Sequence, residues 1–222
     1  GFAQLGGHAR WGWKPAVGQH LTLAFHRGDQ RGGRRYDQLN GGNGNLLNAF
    51  DPQALSLFYA RWEQQALGPL DTLSATFSIN DQQDGRRFQG GAGDPLASIT
   101  RESNGTRVFG YQVQATLHLG TRQSLAWGGE VYDEYIASRA VVRRPASGLE
   151  RAERGRYPDG TRYTSYGGFA QHSLELLRGR LRAQGGLRYS AFHFRTFAGQ
   201  NPRAAGGQPT VPDLYFISQL GQ

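Results

Sequence analysis

The sequence predicts an all-β protein: part of an antiparallel, up-and-down transmembrane β-barrel of about nine strands, with short periplasmic turns and long extracellular loops. Three observations carry this expectation. Apolar and polar residues alternate over stretches of about a dozen residues, the length a tilted strand needs to cross a bilayer, where soluble strands run nearer five or six. The joints between these stretches go short, long, short, long, which puts every long joint at one end, as in outer-membrane barrels. No run of eighteen apolar residues is present, so no segment reads as a transmembrane helix.

The strands read, in order, at 3–13, 20–27, 54–63, 71–80, 107–118, 122–136, 163–176, 180–194 and 213–222. Joints at 14–19, 64–70, 119–121 and 177–179 are short, whereas 28–53, 81–106, 137–162 and 195–212 read as loops of about 18 to 26 residues. The segment 71–80 has the cleanest alternation, with Leu73, Ala75, Phe77 and Ile79 set against Thr72, Ser74, Thr76, Ser78 and Asn80. In 107–119, Phe109, Tyr111, Val113, Ala115, Leu117 and Leu119 oppose Gly110, Gln112, Gln114, Thr116 and His118. In 180–194, Leu181, Ala183, Leu187, Tyr189 and Ala191 oppose Arg182, Gln184, Arg188 and Ser190. A charge on the lipid face near mid-membrane costs about 2 to 4 kcal/mol, so Arg182 and Arg188 are expected to face the lumen. Either parity gives a mixed face in 54–63 and 163–176, and their orientation stays open.

Aromatic position adds a second pattern. Trp11 and Trp13 precede the short joint at 14–19, and Trp62 precedes the one containing Gly68 and Pro69. Tyr132, Tyr135, Tyr163 and Tyr166 flank a long joint at the opposite end. Amphipathic rings collect at the headgroup level, so Trp11, Trp13, Trp62, Tyr163 and Tyr166 are the expected membrane girdle. Glycine within strands, at Gly128–Gly129, Gly167–Gly168 and Gly185–Gly186, suits coiling or the close approach of something filling the lumen.

Composition narrows the function classes. The 222 residues carry a net charge of +8, almost wholly from Arg, since Lys14 is the one lysine. The charges are mixed in sign, as where Arg143, Arg144, Arg151, Arg154 and Arg156 share a segment with Glu150 and Glu153. Nucleic-acid binding would favour a basic stripe interleaved with aromatics, so no nucleic-acid partner is expected. With no Cys, the chain builds no disulfide, thiolate metal site or catalytic thiol. The six histidines, His8, His20, His26, His118, His172 and His193, form no metal-binding helical pair. His20 and His26 share the parity of Thr22 and are expected in the lumen. No Gly-x-Ser-x-Gly elbow occurs, and neither enzyme activity nor a cofactor is expected. A chain without Met or a leader-like N-terminus reads as an internal piece of a longer one.

Several phrases, in order, resemble the barrel of TonB-dependent outer-membrane receptors, especially the branch of haem and haemoglobin receptors. They are Arg35–Tyr36–Asp37–Gln38–Leu39, Phe50–Asp51–Pro52–Gln53 with Tyr59–Ala60–Arg61, and Phe109–Gly110–Tyr111–Gln112–Val113–Gln114–Ala115. Leu125 to Glu134, Tyr157 to Tyr163, Gly168–Phe169–Ala170–Gln171, Gly179–Arg180–Leu181 and Gly186–Leu187–Arg188–Tyr189 continue the series, so the likeness covers about residues 35–190.

The resemblance implies a piece of a 22-stranded barrel, with the N-terminal plug domain and the C-terminal strands outside residues 1–222. It implies the outer membrane of a Gram-negative bacterium, lipid as surroundings, and the TonB complex as partner through the plug. The implied function is uptake of a ferric siderophore, haem or a similarly scarce nutrient. Ligand contacts would then fall to Tyr132, Glu134, Arg143, Arg144 and Tyr157, since aromatic faces stack on flat ligands and Arg forks pair with carboxylates or chelate anions. A passive porin fits the alternation without these phrases. A soluble all-β adhesin or carbohydrate-binding module fits only the strand content.

Overall fold

The computed structural model describes residues 1–39, 44–177 and 180–197. Ten strands form one antiparallel sheet: β1 (Ala3–Trp13), β2 (Gln19–Arg31), β3 (Gly33–Arg34), β4 (Leu47–Leu67), β5 (Leu70–Gln89), β6 (Ile99–Leu119), β7 (Gln123–Arg143), β8 (Glu150–Arg154), β9 (Thr161–Leu176) and β10 (Leu181–Arg195). The long strands lie in the order β1-β2-β4-β5-β6-β7-β9-β10, each beside its neighbour in sequence, with β3 paired to β4 and β8 to β7. Among the described residues no α-helix occurs, and β1 and β10 are the edges of the sheet. The expected strand at 213–222 lies outside the described residues.

Register lines the two faces up across the whole sheet. One row of cross-strand partners runs Trp11, Leu23, Ala60, Phe77, Tyr111, Val131, Tyr166, Ala191. The next row, on the opposite face, runs Gly12, Thr22, Arg61, Thr76, Gln112, Glu130, Gly167, Ser190. Because successive side chains point to opposite faces, one pleat separates an apolar row from a row of polar residues and glycines. In β4 the even-numbered residues Ala54 to Trp62 share the apolar side, and in β9 the even-numbered Tyr166, Gly168, Ala170 and Leu174 do. The two orientations left open by the sequence are fixed by their neighbours.

Among the described residues no second layer lies on the apolar face. Among the described residues only Ala49, Ala115, Ile136 and Ala140 are buried hydrophobics, while Val113, Leu187 and Tyr189 are 51%, 86% and 69% exposed. Substantial contacts between elements run only along the ladder. A packed sandwich would bury two inner faces against each other, and the described strands form a single sheet.

The short joints are tight turns. Gly68 and Pro69 alone separate β4 from β5, with Gly68 at a φ of 58°, and Gly120 turns between β6 and β7 at a φ of 71°. The long joints differ from expectation. Residues 28–31, 33–34, 47–53, 81–89, 99–106, 137–143, 150–154 and 161–162, expected in loops, are strand, and β4 to β7 each reach 20 or 21 residues. At roughly 3.3 Å per residue such strands run about 70 Å, more than twice the bilayer core, so the hairpins stand well beyond it. A register shift between Phe50 and Gln53 interrupts the β4–β5 ladder within that extension.

Candidate functional site

The apolar band ends in a polar row. On the same face as Phe77 and Val131, the partners Arg27, Ser56, Asp81, Arg107, Tyr135, Arg162 and Arg195 follow one another across seven strands. Arg27 donates to Ser56 Oγ at 2.8 Å, and Arg107 Nε to Asp81 at 2.8 Å. Arg162 Nε donates to Asp133 at 2.8 Å, Thr164 Oγ1 to the same carboxylate at 2.9 Å, and the Arg162 guanidinium lies 4.9 Å from the Tyr135 ring. Paired charges stacked on an aromatic edge mark where a bilayer core would give way to headgroups.

The expected girdle divides. Trp11 and Trp13 lie on the apolar face with ring centroids 6.0 Å apart, and register puts Trp62 and Tyr166 on that face too. Trp127, which the sequence did not single out, joins them opposite Ala115 and Ala170. Tyr163 is the correction: it pairs with Glu134 on the polar face and stacks on Phe192 at 6.2 Å. The mixed parity of 163–176 had concealed its direction. Tyr135, on the apolar face with its ring edge-on to Phe109 at 6.4 Å, is placed where Tyr163 was expected.

The polar face carries a recess of about 540 Å³ near the hairpin end. Gln4, Gln30, Gln53, Asp84 and Asn104, successive cross-strand partners, line it, and Ser138 is the next partner in that row. Residues 155–160, between β8 and β9, fold back over this row with Arg156 and Tyr157 at the rim.

Ser138 holds that strap. Its hydroxyl accepts from the Tyr157 backbone N–H at 3.1 Å and donates to Asn104 Oδ1 at 2.5 Å, while its own N–H donates to Asp159 Oδ1 at 3.0 Å. Arg139 reaches the other Asp159 oxygen at 3.1 Å, and Thr161 Oγ1 closes the turn on the Pro158 carbonyl at 2.8 Å. Glycine is required at 155, where a Cβ would sit 2.3 Å from Ser138 Oγ and 2.7 Å from the Arg139 nitrogen. Across the recess Arg156 meets Asp84 at 3.4 Å.

The five expected ligand residues separate into three places. Tyr132 and Glu134 sit on the polar face of β7, Tyr132 leaning over Gly110, where a Cβ would lie 2.9 Å from its ring. Tyr157 lines the recess. Arg143 and Arg144 are exposed at the turn between β7 and β8, where the Arg144 N–H donates to the Leu149 carbonyl. The recess residues Gln4, Gln30, Gln53, Asp84, Asn104 and Arg156 escaped the sequence reading. Lone amides in scattered segments give no motif, and only register joins them.

Two carboxylates near the hairpin end are held by neighbouring arginines. Two arginines, chiefly Arg31, hold the Asp29 carboxyl below its ordinary range, and the Arg35 guanidinium does the same for Asp37 in the 3-10 turn Tyr36–Gln38. Among the described residues no group of three His, Asp or Glu is disposed to hold a metal ion. His20 and His26 lie on the polar face with Thr22.

No family model and no curated protein matches the sequence. Among solved structures the chain is similar to the copper transporter OprC, with a TM-score of 0.69 and 14% identity. The match covers 88% of this chain. The fold is that of a stretch of barrel wall. The chain spans 30% of the length of OprC, so the likeness concerns the wall's architecture.

Proposed function

We propose that this chain forms part of the barrel of an outer-membrane receptor of a Gram-negative bacterium that imports a scarce ligand with energy relayed by TonB. In this reading the turns at Gly68 and Gly120 face the periplasm and the long hairpins stand outside the cell. Further strands and a plug domain come from the rest of the polypeptide, and TonB is engaged through the plug. The observation that carries the reading is the unpartnered apolar band, all of one face from Trp11 to Ala191, bounded by the row from Arg27 to Arg195. A continuous apolar surface of that extent calls for hydrocarbon.

The cargo we assign is an iron-containing one, a ferric siderophore or haem, on the strength of the phrases between residues 35 and 190 and the Tyr and Arg groups at the hairpin end. OprC is named for copper. This chain has neither Cys nor Met, so its residues would supply no thiolate or thioether to soft copper, and Arg, Tyr and amide groups suit anionic chelates better.

The test is uptake by the intact receptor in an iron-starved strain lacking its own receptors, with radiolabelled ferric siderophore or haem, with and without TonB. Accumulation that disappears without TonB supports the reading. Uptake indifferent to TonB identifies a passive porin, and recovery of the protein from the soluble fraction identifies an adhesin or binding module.

A further inference from the structure

From the arginines on the outer side of the long hairpins we infer a surface that binds lipopolysaccharide through the phosphates on its sugars. It rests on the outer-membrane placement proposed above and is independent of what is imported. Beyond the row Asp81, Arg107, Tyr135, strands β5, β6 and β7 continue the apolar side at the alternate positions within 83–89, 99–105 and 137–143. Those positions hold Arg87, Arg101, Arg139 and Arg143 and no carboxylate. The opposite side of the same stretch holds Asp84 and Glu102 with Arg86, so charge is sorted by face. Arg139 is matched by Asp159. Arg87 and Arg101 are direct cross-strand partners, both exposed, and among the described residues neither side chain has a hydrogen-bond or ion-pair partner. Like charges directly opposite one another weaken an antiparallel pair, and an anion lying across them removes that cost. The same row continues through Ala49 to Arg34, which is likewise exposed and without a partner among the described residues.

Spacing and position select the partner. Adjacent strands lie about 4.8 Å apart, so Arg87 and Arg101 can share one phosphate between two guanidinium forks, with Arg34 about 10 Å further along the row. Along β5, Arg87 stands about 20 Å from Asp81, at roughly 3.3 Å per residue. The row of Asp81, where the apolar band ends, itself carries Arg27, Arg107, Arg162 and Arg195 on this side. A partner that covers the side from Phe77 up to Arg87 is therefore apolar below and anionic above. A soluble polyanion meets only the second requirement. An acylated glycolipid with phosphorylated sugars meets both, its chains on Leu73, Phe77 and Val113 and its phosphates on the arginines.

The test is titration of the intact receptor in dodecyl maltoside micelles with fluorescently labelled rough lipopolysaccharide, with the same lipid after phosphatase treatment, and with inorganic triphosphate. The phosphorylated lipid is expected to bind about tenfold more weakly to Arg87→Gln/Arg101→Gln than to the unaltered protein. Binding is expected to be largely retained in Arg87→Lys/Arg101→Lys and unchanged in Arg122→Gln, in the turn at the other end of the sheet. Phosphatase-treated lipid should bind both proteins alike, and as weakly as the double Gln variant binds the phosphorylated form. Retained β circular dichroism identifies folded variants, and should the double variant fail to fold, Arg101→Gln and Arg34→Gln singly still decide. Equal binding by variant and unaltered protein, binding indifferent to phosphatase, or triphosphate held as tightly as the lipid would overturn the inference, the last by identifying a site for a soluble anion. An intact protein that stays dispersed without detergent would instead defeat the outer-membrane placement, whereas an embedded receptor indifferent to the lipid's phosphates defeats this inference alone.

Discussion

Ser138 and Gly155 touch so closely that any side chain at 155 would collide with the serine hydroxyl, at 2.3 Å for a Cβ. The strap 155–160 lies over the polar face, bonded to Ser138 and Arg139, and its Arg156 and Tyr157 line the recess.

Gly155→Ala is therefore expected to displace the strap at a cost of about 1 to 3 kcal/mol, the range for overpacking a tight site. Ser138→Ala removes the partner of the Tyr157 N–H and of Asn104 Oδ1, each left unpaired at about 1 to 3 kcal/mol. Limited trypsin digestion checks both: cleavage after Arg156 should accelerate in either variant, while cleavage after Arg10 stays constant.

On the apolar face, position rather than residue type decides the cost of a charge. Val113→Arg should destabilise the protein in bilayers by about 2 to 4 kcal/mol, whereas Gln114→Arg, one pleat away on the polar face, should stay within about 0.5 kcal/mol. Urea unfolding in lipid vesicles, read by tryptophan emission, measures both.

The pair Arg162–Asp133 is half-open to solvent, with side-chain exposures of 48% and 18%. Its coupling in a double-mutant cycle of Asp133→Asn and Arg162→Gln is expected at no more than about 1 kcal/mol and should shrink in high salt. A salt-independent coupling of several kcal/mol would mean that the polar row is buried.

Without lipid or detergent the chain should not be a stable monomer. Among the described residues β1 and β10 are unpaired along their outer edges, and nothing is packed on the face carrying Leu187 and Tyr189. Light scattering in buffer is expected to report aggregates, and a monodisperse monomer that melts cooperatively would contradict this.

Much of the sheet was legible in the sequence because one physical signal, the alternation of apolar and polar side chains, repeats in Leu73 to Ile79, Phe109 to Leu119 and Leu181 to Ala191. The signal stops where the apolar band stops. Beyond Asp81 and Arg107 both faces of the hairpin meet water, so residues 82–89 and 99–106 keep their backbone pairing while losing any apolar period, and they read as loop. The site was less legible still. Asn104 and Ser138 are 34 residues apart and meet only through the β6–β7 register, and Gln4, Gln30 and Gln53 align only once three strands have paired. Tyr163 shows the same limit on one residue, since its strand offers mixed faces at either parity.

The central claim, that one face of this sheet lies against hydrocarbon, is most directly tested by spin labels placed in this cysteine-free chain at 73, 77, 113 and 117 and, for contrast, at 74, 76, 112 and 114. In lipid bilayers the account predicts accessibility with a period of two: the odd-numbered labels relaxed by oxygen and shielded from a water-soluble nickel complex, the even-numbered labels the reverse. Equal access of the nickel complex to both sets would contradict it.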